Sequence, residues 1–564
     1  MLALAPASPA YASAIVVTGK GDTIANDGIC TLREAINAAN NDAVYFNCAA
    51  GSGPDTITFA APYVITLGSA LPPISPSTQL TITGKGASAT IIQANAAPNV
   101  ATYRLFYVTS SATLTLQDLT VRNGRCNGSC ATFPNTGGAI YNGGNLTLIR
   151  VAVSGNTAGL GGAIDNTGSV SINSSTLSGN SASDGGAIWN DASSSSLTIS
   201  GSTLTGNNAS TGGAISNGGN LGVTNSTFAA NSAAFNGGGI NNSGIADIRN
   251  STFSGNSASP GAALSNFGTT TMYNSILANS TAGGDCTTGS PLNANVNNLI
   301  EDGSCSPALS GDPKLGPLGN NGGYTKTFPL QPGSPAIDAG NALTCAATDQ
   351  RGYPRPQDGN LDGTAVCDIG AVEKLRWLTF RSVGAQDGWV LESSENSGSG
   401  GTLDYASTTF RLGDESGNRQ YRGILSFNTL AIPDTAVVPR IILKIQRQSI
   451  TGSNPFVSHG SLLADIRKGP LGGNAALQLA DFSATANLNA AGAFASSPMA
   501  GNWYQAILKP GASPYVNKAG LTQFRLRFQL DDNNDGGADY VSFASGNFGT
   551  LASRPWLYVE YYIP

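Results

Sequence analysis

Three apolar positions recur in fixed register through the middle of this chain. Ile140, Ile164, Ile188, Ile215, Ile240 and Leu264 form one column. Eight residues further on, eleven in one case, stand Leu148, Ile172, Ile199, Val223, Ile248 and Met272. Five residues beyond those stand Val153, Leu177, Leu204, Phe228, Phe253 and Leu277, so the period is 24 to 27 residues. Between the columns apolar and polar residues alternate, as in "LTL", "VSI" and "LTI", and Gly or Asn punctuates the corners. A period in this range marks units that bury their apolar face only by stacking on one another. Amphipathic helical spacing is absent, the Leu and Asn spacing of leucine-rich repeats is absent, and propeller blades need about 40 residues or more. Three short strands per coil predict a parallel β-helix. The eleven-residue step holds the insertion "DASSSS", which reads as a loop bulging between strands.

Asparagine follows the first column by two residues, at Asn142, Asn166, Asn190, Asn217, Asn242 and Asn266, and a second series runs Asn156, Asn180, Asn207, Asn231, Asn256 and Asn279. With a side-chain period of two, the first series points into the coil beside the isoleucines. Stacked amides there hydrogen-bond along the coil axis, a structural role, and a ligand-binding row is the alternative. Trp189 falls at an outward position. So do Thr176, Thr203, Thr227 and Thr252, but the parallel outward column runs Thr147, Ser171, Thr198, Gly222, Asp247 and Thr271, so a flat threonine array of the ice-binding kind is not maintained.

"DTITF", "LTITGKG" and "ATLTLQDLTV" predict further strands upstream. "CTLREAINAANND" predicts a helix, with Thr31 and Glu34 as capping box and Leu32, Ala35, Ile36 and Ala39 as apolar face. A helix there caps the first coil against edge-to-edge pairing. After Glu373 the repeat stops, there are no more cysteines, and 16 of the 28 Lys and Arg and four of the five Trp follow. Alternating runs with polar turns predict an antiparallel β-sandwich there. The fold class is therefore all-β, with a leader remnant at 1–14, a β-helix with its cap and closing region at 15–373, and a sandwich at 374–564.

Composition adds compartment and partners. Only 11% of the 564 residues are charged, against about 25% in ordinary globular proteins. The net charge of −6 and the absence of a basic run argue against nucleic acid. The eight cysteines fall in four sequence-adjacent pairs: Cys30 with Cys48, Cys126 with Cys130, Cys286 with Cys305, and Cys345 with Cys367. None has a C-x-x-C spacing. They read as disulfides of an extracellular protein, with connectivity open. "MLALAPASPAYASA" ends in the small-x-small pattern Ala12-Ser13-Ala14 and reads as the tail of a signal peptide. No stretch is long and apolar enough to span a membrane.

Three stretches carry family resemblance. "GICTLREAINAAN" resembles the CSLREA motif of secreted bacterial β-helix proteins, with Thr31 in place of the usual Ser. "GGAI-x-N" and "STF-SGN" resemble the repeats of polymorphic outer-membrane proteins. "SPAIDAG…DQRGYPRP…CDIGAVE" (Ser334 to Glu373) resembles the closing region of choice-of-anchor Q proteins. Together these cover residues from about 15 to 373 and imply a secreted or surface right-handed β-helix with no settled activity. "YRGILSFNTLAIPDTAVV", "RIILKI", "QFRLRFQLDDNNDGGADYVSFASGN" and "RPWLYVEY" resemble the DNRLRE-type β-sandwich, which is related to some carbohydrate-binding modules.

Chemistry is sparse in the coils. From Ala131 to Ser280 the charged residues are Arg150, Asp165, Asp184, Asp191, Asp247 and Arg249. Asp165 and Asp191 come from adjacent coils near one corner, with Asp184 nearby. A carboxylate pair there suits polysaccharide hydrolysis or elimination, and solvated corner aspartates are the blander reading, so no catalytic residue is assigned. His459, in "SNPFVSHGS", reads as a loop residue without catalytic partners. Two acidic loops alternate oxygen donors around a glycine: Asp358, Asn360 and Asp362 with Asp368 after them, and Asp531, Asn533 and Asp535 with Asp539. That pattern suits calcium, although Ile369 and Ser542 replace the glutamate that closes an EF-hand. An ordinary Asp-Gly turn is the alternative. Trp389, Tyr405 and Trp503 are the candidates for glycan contact in the sandwich.

The expectation is a non-enzymatic, secreted or cell-surface structural and adhesive protein, a β-helix stalk bearing a binding or assembly module. Extracellular glycans or matrix components are the expected partners. The alternatives are a polysaccharide lyase or glycoside hydrolase with a carbohydrate-binding module, and a subunit of an extracellular filament.

Overall fold

The computed structural model describes residues 14–75, 79–128, 130–191, 194–289 and 291–564. The signal-peptide reading falls almost wholly on residues outside these. The chain divides into two units at Lys374/Leu375.

The first unit is a parallel β-helix. Its described strands form three parallel sheets of eleven, eight and ten strands, with two further two-stranded parallel pairs. All three apolar columns stand in register: Ile140 to Leu264 in the eight-stranded sheet, Leu148 to Met272 in the eleven-stranded sheet and Val153 to Leu277 in the ten-stranded sheet. Every column residue is buried. The "DASSSS" insertion falls between strands Ile188–Asn190 and Ser196–Ser200, where it leaves both registers intact. Its residues 192–193 lie outside the described set.

The asparagine series are internal ladders. Asn142 donates to Asn166 at 2.8 Å, Asn166 to Asn190 at 2.7 Å, Asn190 to Asn217 at 2.6 Å, Asn217 to Asn242 at 2.7 Å and Asn242 to Asn266 at 2.9 Å. All six are fully buried. The ladder starts at Asn142 because the preceding coil places Val108 opposite it, which leaves the Asn142 Oδ1 without a donor. The second series stacks from Asn156 to Asn256. Asn279 is the exception: it is exposed and bonds Ser254 Oγ instead. Buried amides need partners, and neighbouring coils supply them.

The helix Leu32–Asn41 forms with Thr31 and Glu34 in a capping box, and it packs on the first strands of the eleven-stranded sheet. The cysteine connectivity that spacing alone left open is the sequence-adjacent one. Cys30 is bonded to Cys48, Cys126 to Cys130, Cys286 to Cys305 and Cys345 to Cys367. Cys30 and Cys48 are buried beside the capping helix, so their bond ties its N-terminus to the chain that follows it. Cys286 closes the eight-stranded sheet beside Leu264, and its bond to Cys305 fastens the last turn there. Cys367 is buried in the closing segment, where Cys345 holds it from 22 residues upstream.

Residues 325–373 fold back over the ten-stranded sheet, so the outward threonine row is not open surface. Thr203 and Thr227 are fully buried and Thr252 is 2% exposed. Gln350 Nε2 donates to Ser202 O and Thr203 Oγ1, and Thr227 Oγ1 donates to Gln350 Oε1. Ala371 N donates to Thr252 Oγ1. Farther along, Asn274 and Asn341 bond each other through side chain and backbone. At the centre of this segment Arg355 and Glu373 pair at 2.7 Å with both side chains wholly buried.

The second unit is antiparallel throughout its strand pairs, apart from one isolated parallel bridge between Gly469 and Thr522. Strand Val437–Thr451 pairs first with Trp503–Ile507 and Trp556–Tyr562, then, past a bulge between Arg447 and Ser449, with Tyr540–Ala544. A long strand that bends at a bulge and continues in a second sheet closes a sandwich corner. Phe410, Phe427, Leu443, Phe524, Leu526, Phe543 and Val559 fill the core between.

Candidate functional site

In the eight-stranded sheet the residues between the column isoleucines and the ladder asparagines point outward, and their register joins them into one row. Tyr107, Tyr141, Asp165, Trp189, Ser216, Asn241, Ser265 and Thr287 are successive neighbours. One end is aromatic. Phe133 lies flat on Tyr141 (centroids 4.3 Å apart, planes 6° apart), and Tyr107 approaches both rings at 5.5–6.2 Å. Arg104 sits over Tyr141, 5.3 Å from its centroid, and donates to Thr132 O and Phe133 O, which fastens the loop carrying Phe133. A cavity of about 400 Å³, lined by Leu71, Pro73, Tyr103, Arg104 and Tyr107, opens beside it.

Asp165 follows Tyr141 in the row and is 3% exposed. Burial first, with Asp191 adding to it, raises its carboxyl to about 6, against a hydrogen bond from Thr136 and the charge of Arg104. The structure therefore brings Asp165, Asp191 and Arg104 into one electrostatic neighbourhood. Asp184 stands apart, its carboxyl hydrogen-bonded to Thr211 and raised by burial. Four buried polar atoms, Arg104 Nη1, Asp165 Oδ1, Asn241 Oδ1 and Ser265 Oγ, have no hydrogen-bond partner among the described residues. Three belong to the row and the fourth to the arginine at its aromatic end. Trp189 and Tyr107 are half-buried, leaving ring surface open.

A carboxyl raised above its unfolded value binds its proton more tightly in the folded protein. Asp165 thus contributes stability that is fully present below about pH 4 and lost as pH rises towards 6. Asp165→Asn is expected to flatten that part of the pH–stability curve, relieving about 2–3 kcal/mol at pH 7 relative to pH 4. Unfolding midpoints from pH 4 to 7 would show it. Parallel curves for the variant and the parent would mean that Asp165 is solvated.

The acidic loops are occupied by their own backbone. Asp358 accepts from Asp362 N and Gly363 N, Asn360 Oδ1 from Asp362 N, and Asp362 Oδ1 from Thr364 N. Asp368 faces elsewhere, accepting from Asp338 N and Lys374 N in the buried closing segment. In the second loop Asn533 Nδ2 donates to Asp535 and Asp539, Gly537 N to Asp535, and Ser453 N to Asp539, while Asp531 shares none of these bonds. Among the described residues no group of three or more His, Cys, Asp or Glu gathers as a metal site. These hydrogen bonds hold both loops as tight turns.

Four placements differ from expectation or sharpen it. His459 lies in the connection after the short helix Pro455–Ser458 but is fully buried, with Nδ1 2.8 Å from Ser458 Oγ and Nε2 3.3 Å from Asp414 Oδ1. Phe528 closes its ring edge-on, which makes it a core group rather than a base for an external substrate. Trp389 packs edge-on against Tyr421 and borders the sandwich core. Tyr405 is 55% exposed, and Trp503 stands edge-to-face with Trp556.

No protein-family model matches the chain, and no curated protein does. Among solved structures, the crystal structure of pectate lyase Pel9A aligns at 14% identity over 65% of this chain and 98% of that one, with a TM-score of 0.35. The enzymatically active domain of bacteriophage CBA120 tailspike protein 4 aligns at 10% identity over 90% of this chain, with a TM-score of 0.20. This chain spans about half of that one, 55%. No helix among the described residues is long and apolar enough to cross a membrane.

Proposed function

We propose that this is an extracellular, adhesive saccharide-binding protein whose β-helix offers the half-buried rings of Tyr107 and Trp189, in the outward row of its eight-stranded sheet, to a glycan chain. The observation that carries the reading is the row itself. Aromatic faces at Tyr107 and Trp189 flank Tyr141 and Asp165 on a rigid, evenly stepped scaffold, and Asp165 Oδ1 there has no partner among the described residues. Aromatic rings cover the apolar faces of sugars while polar groups between them meet hydroxyls. Four disulfides support an oxidising, extracellular setting. Trp189→Ala removes one ring without touching the core, and about a tenfold loss of affinity in affinity electrophoresis against a glycan panel is the expected result. Retention of full affinity by both Trp189→Ala and Tyr107→Ala would refute the reading.

One observation favours a second reading, glycan cleavage. Asp165, raised to about 6 with Asp191 and Arg104 beside it, is poised as a proton donor near neutral pH, and positioned acids contribute about 10²–10⁴-fold to rate. If the protein depolymerises a glycan, Asp165→Asn should lower that rate at least a hundredfold while leaving binding intact. Undiminished cleavage by the variant would dismiss Asp165 as the acid.

A further inference from the structure

The outer face of one sheet in the second unit carries a distinct collection of side chains. Strands Arg376–Arg381, Trp556–Tyr562, Val437–Thr451 and Trp503–Ile507 lie side by side in that order. Register places Arg381 opposite Trp556, Trp556 opposite Lys444, and Lys444 opposite Gln505. Because side chains alternate along a strand, these four form one row on the face away from the core residues Leu443, Leu557, Val559 and Tyr504. The next row holds Gln446 opposite Trp503.

Here the rings and charges converge. Lys444 Nζ lies 4.7 Å from the Trp556 ring centroid and the Arg381 guanidinium 5.7 Å from it, while Trp503 stands edge-to-face at 6.3 Å. Arg381, Lys444, Met499, Trp503 and Trp556 line a cavity of about 360 Å³. Among the described residues no carboxylate lines it. Glu560, the acid on this face, is two rows away, accepts from Tyr558 and pairs with Arg440 at 3.7 Å. Desolvation lowers the pKa of both Lys444 and Arg381, so both cations sit in a partly dehydrated recess whose lining holds no acid. One indole, Trp556, lies under both cations, and a second, Trp503, stands edge-on beside it, which together form a receptor for a ring that carries negative charge.

We infer that the Arg381–Trp556–Lys444–Trp503 recess is a binding site for an acidic saccharide, an indole stacking on the sugar ring while Lys444 and Arg381 meet its carboxylate. Nucleic acid would also offer negative charge beside rings, but the chain holds no basic run to follow a phosphate backbone beyond this recess. A membrane surface would call for an apolar rim with cations at its edge. Here both cations lie over Trp556 and leave Trp503 free of them, and Gln446 and Gln505 share the face to bond hydroxyls. This site shares no residue with the β-helix row, so either can fail alone.

The test is affinity electrophoresis of the full chain in gels containing polygalacturonate or its neutral carboxyl-reduced form, with dextran sulfate and anionic vesicles as further arms. Retardation by polygalacturonate at least tenfold stronger than by the reduced polymer is expected. Lys444→Gln/Arg381→Gln and, separately, Trp503→Ala should each remove most of it. The three substituted residues are half-exposed or exposed, so folding is retained, and the unfolding midpoint confirms it. Equal retardation by both polymers would overturn the inference. So would dextran sulfate capture that survives Trp503→Ala, or binding confined to the vesicles.

Discussion

Arg355→Met should cost the β-helix unit about 3–5 kcal/mol, the loss typical of a buried ion pair stripped of one member. Arg355 is the hub of the closing segment. Its guanidinium donates to Glu373 at 2.7 Å, to Asp368 O at 2.9 Å and to Gly370 O at 2.7 Å. Glu373 in turn accepts from Gln357 N and Asp368 N. Burial raises the Glu373 carboxyl and Arg355 is the charge that lowers it, while Asp368 beside them is raised well above the usual carboxylate range, by burial first and by Glu373 second. Without the guanidinium, Glu373 moves up further. The loss should therefore be largest at neutral pH and shrink as pH falls towards 4 and the carboxyl takes its proton. The double replacement Arg355→Met/Glu373→Leu should recover much of the loss, because both charges leave together. Denaturant unfolding at pH 4.5 and 7.5 measures all of this. A pH-independent loss below 1 kcal/mol would show that the pair is solvated.

The second large effect concerns the first asparagine ladder. Asn217 accepts from Asn190 at 2.6 Å and donates to Asn242 at 2.7 Å, to Gly219 O at 3.1 Å and to Ile245 O at 3.2 Å. Asn217→Leu leaves buried groups unmatched on both neighbouring coils, at roughly 1–3 kcal/mol for each donor or acceptor orphaned. A total of about 2–5 kcal/mol is expected. Asn142→Leu makes the control, because the Asn142 Oδ1 already lacks a donor. The end rung should therefore cost about one hydrogen bond less than the middle one. Equal losses at the two positions would mean that the rungs act independently and not as a ladder.

Much of this architecture was legible from spacing alone. A strict side-chain period of two within a constant coil length leaves one register available, so the three columns and the inward asparagines followed directly. The cysteines could be grouped by proximity, but eight thiols admit 105 pairings. Only the folded chain shows that Cys48, Cys305 and Cys367 each take the cysteine next before them. Arg104, Tyr107 and Tyr141 were harder to see, because the Phe106 coil precedes the regular repeat and the loop at 127–136 interrupts the spacing. Counting back one coil from Ile140 to Phe106 would have placed Tyr107 beside Tyr141. The threonine row could be read as outward but not as covered, since its lid comes from residues more than a hundred positions later. In the second unit, strand pairing joins Arg381 to Trp556 and Lys444 to Trp556 across long separations. No local pattern announces such pairs, so Trp503 was nominated without its companions, and Trp389 without the Tyr421 against which it packs. The acidic loops show the reverse problem. Alternating Asp and Asn satisfy a tight turn as readily as a cation, and local sequence does not separate the two.

The folded-back segment also acts as a gauge of repeat number. It holds Ser202, Thr203 and Thr227 through Gln350, Thr252 through Ala371, and Asn274 through Asn341. An extra coil placed upstream of Ser202 would lengthen the stack and leave every one of these tethers in place. The same coil placed between Thr227 and Asn274 would carry the far anchor one step away while the near one stayed put. Tandem duplication, the simplest way for such a gene to grow, is thus confined by the closing segment to the upstream coils, where Tyr141, Asp165 and Trp189 lie.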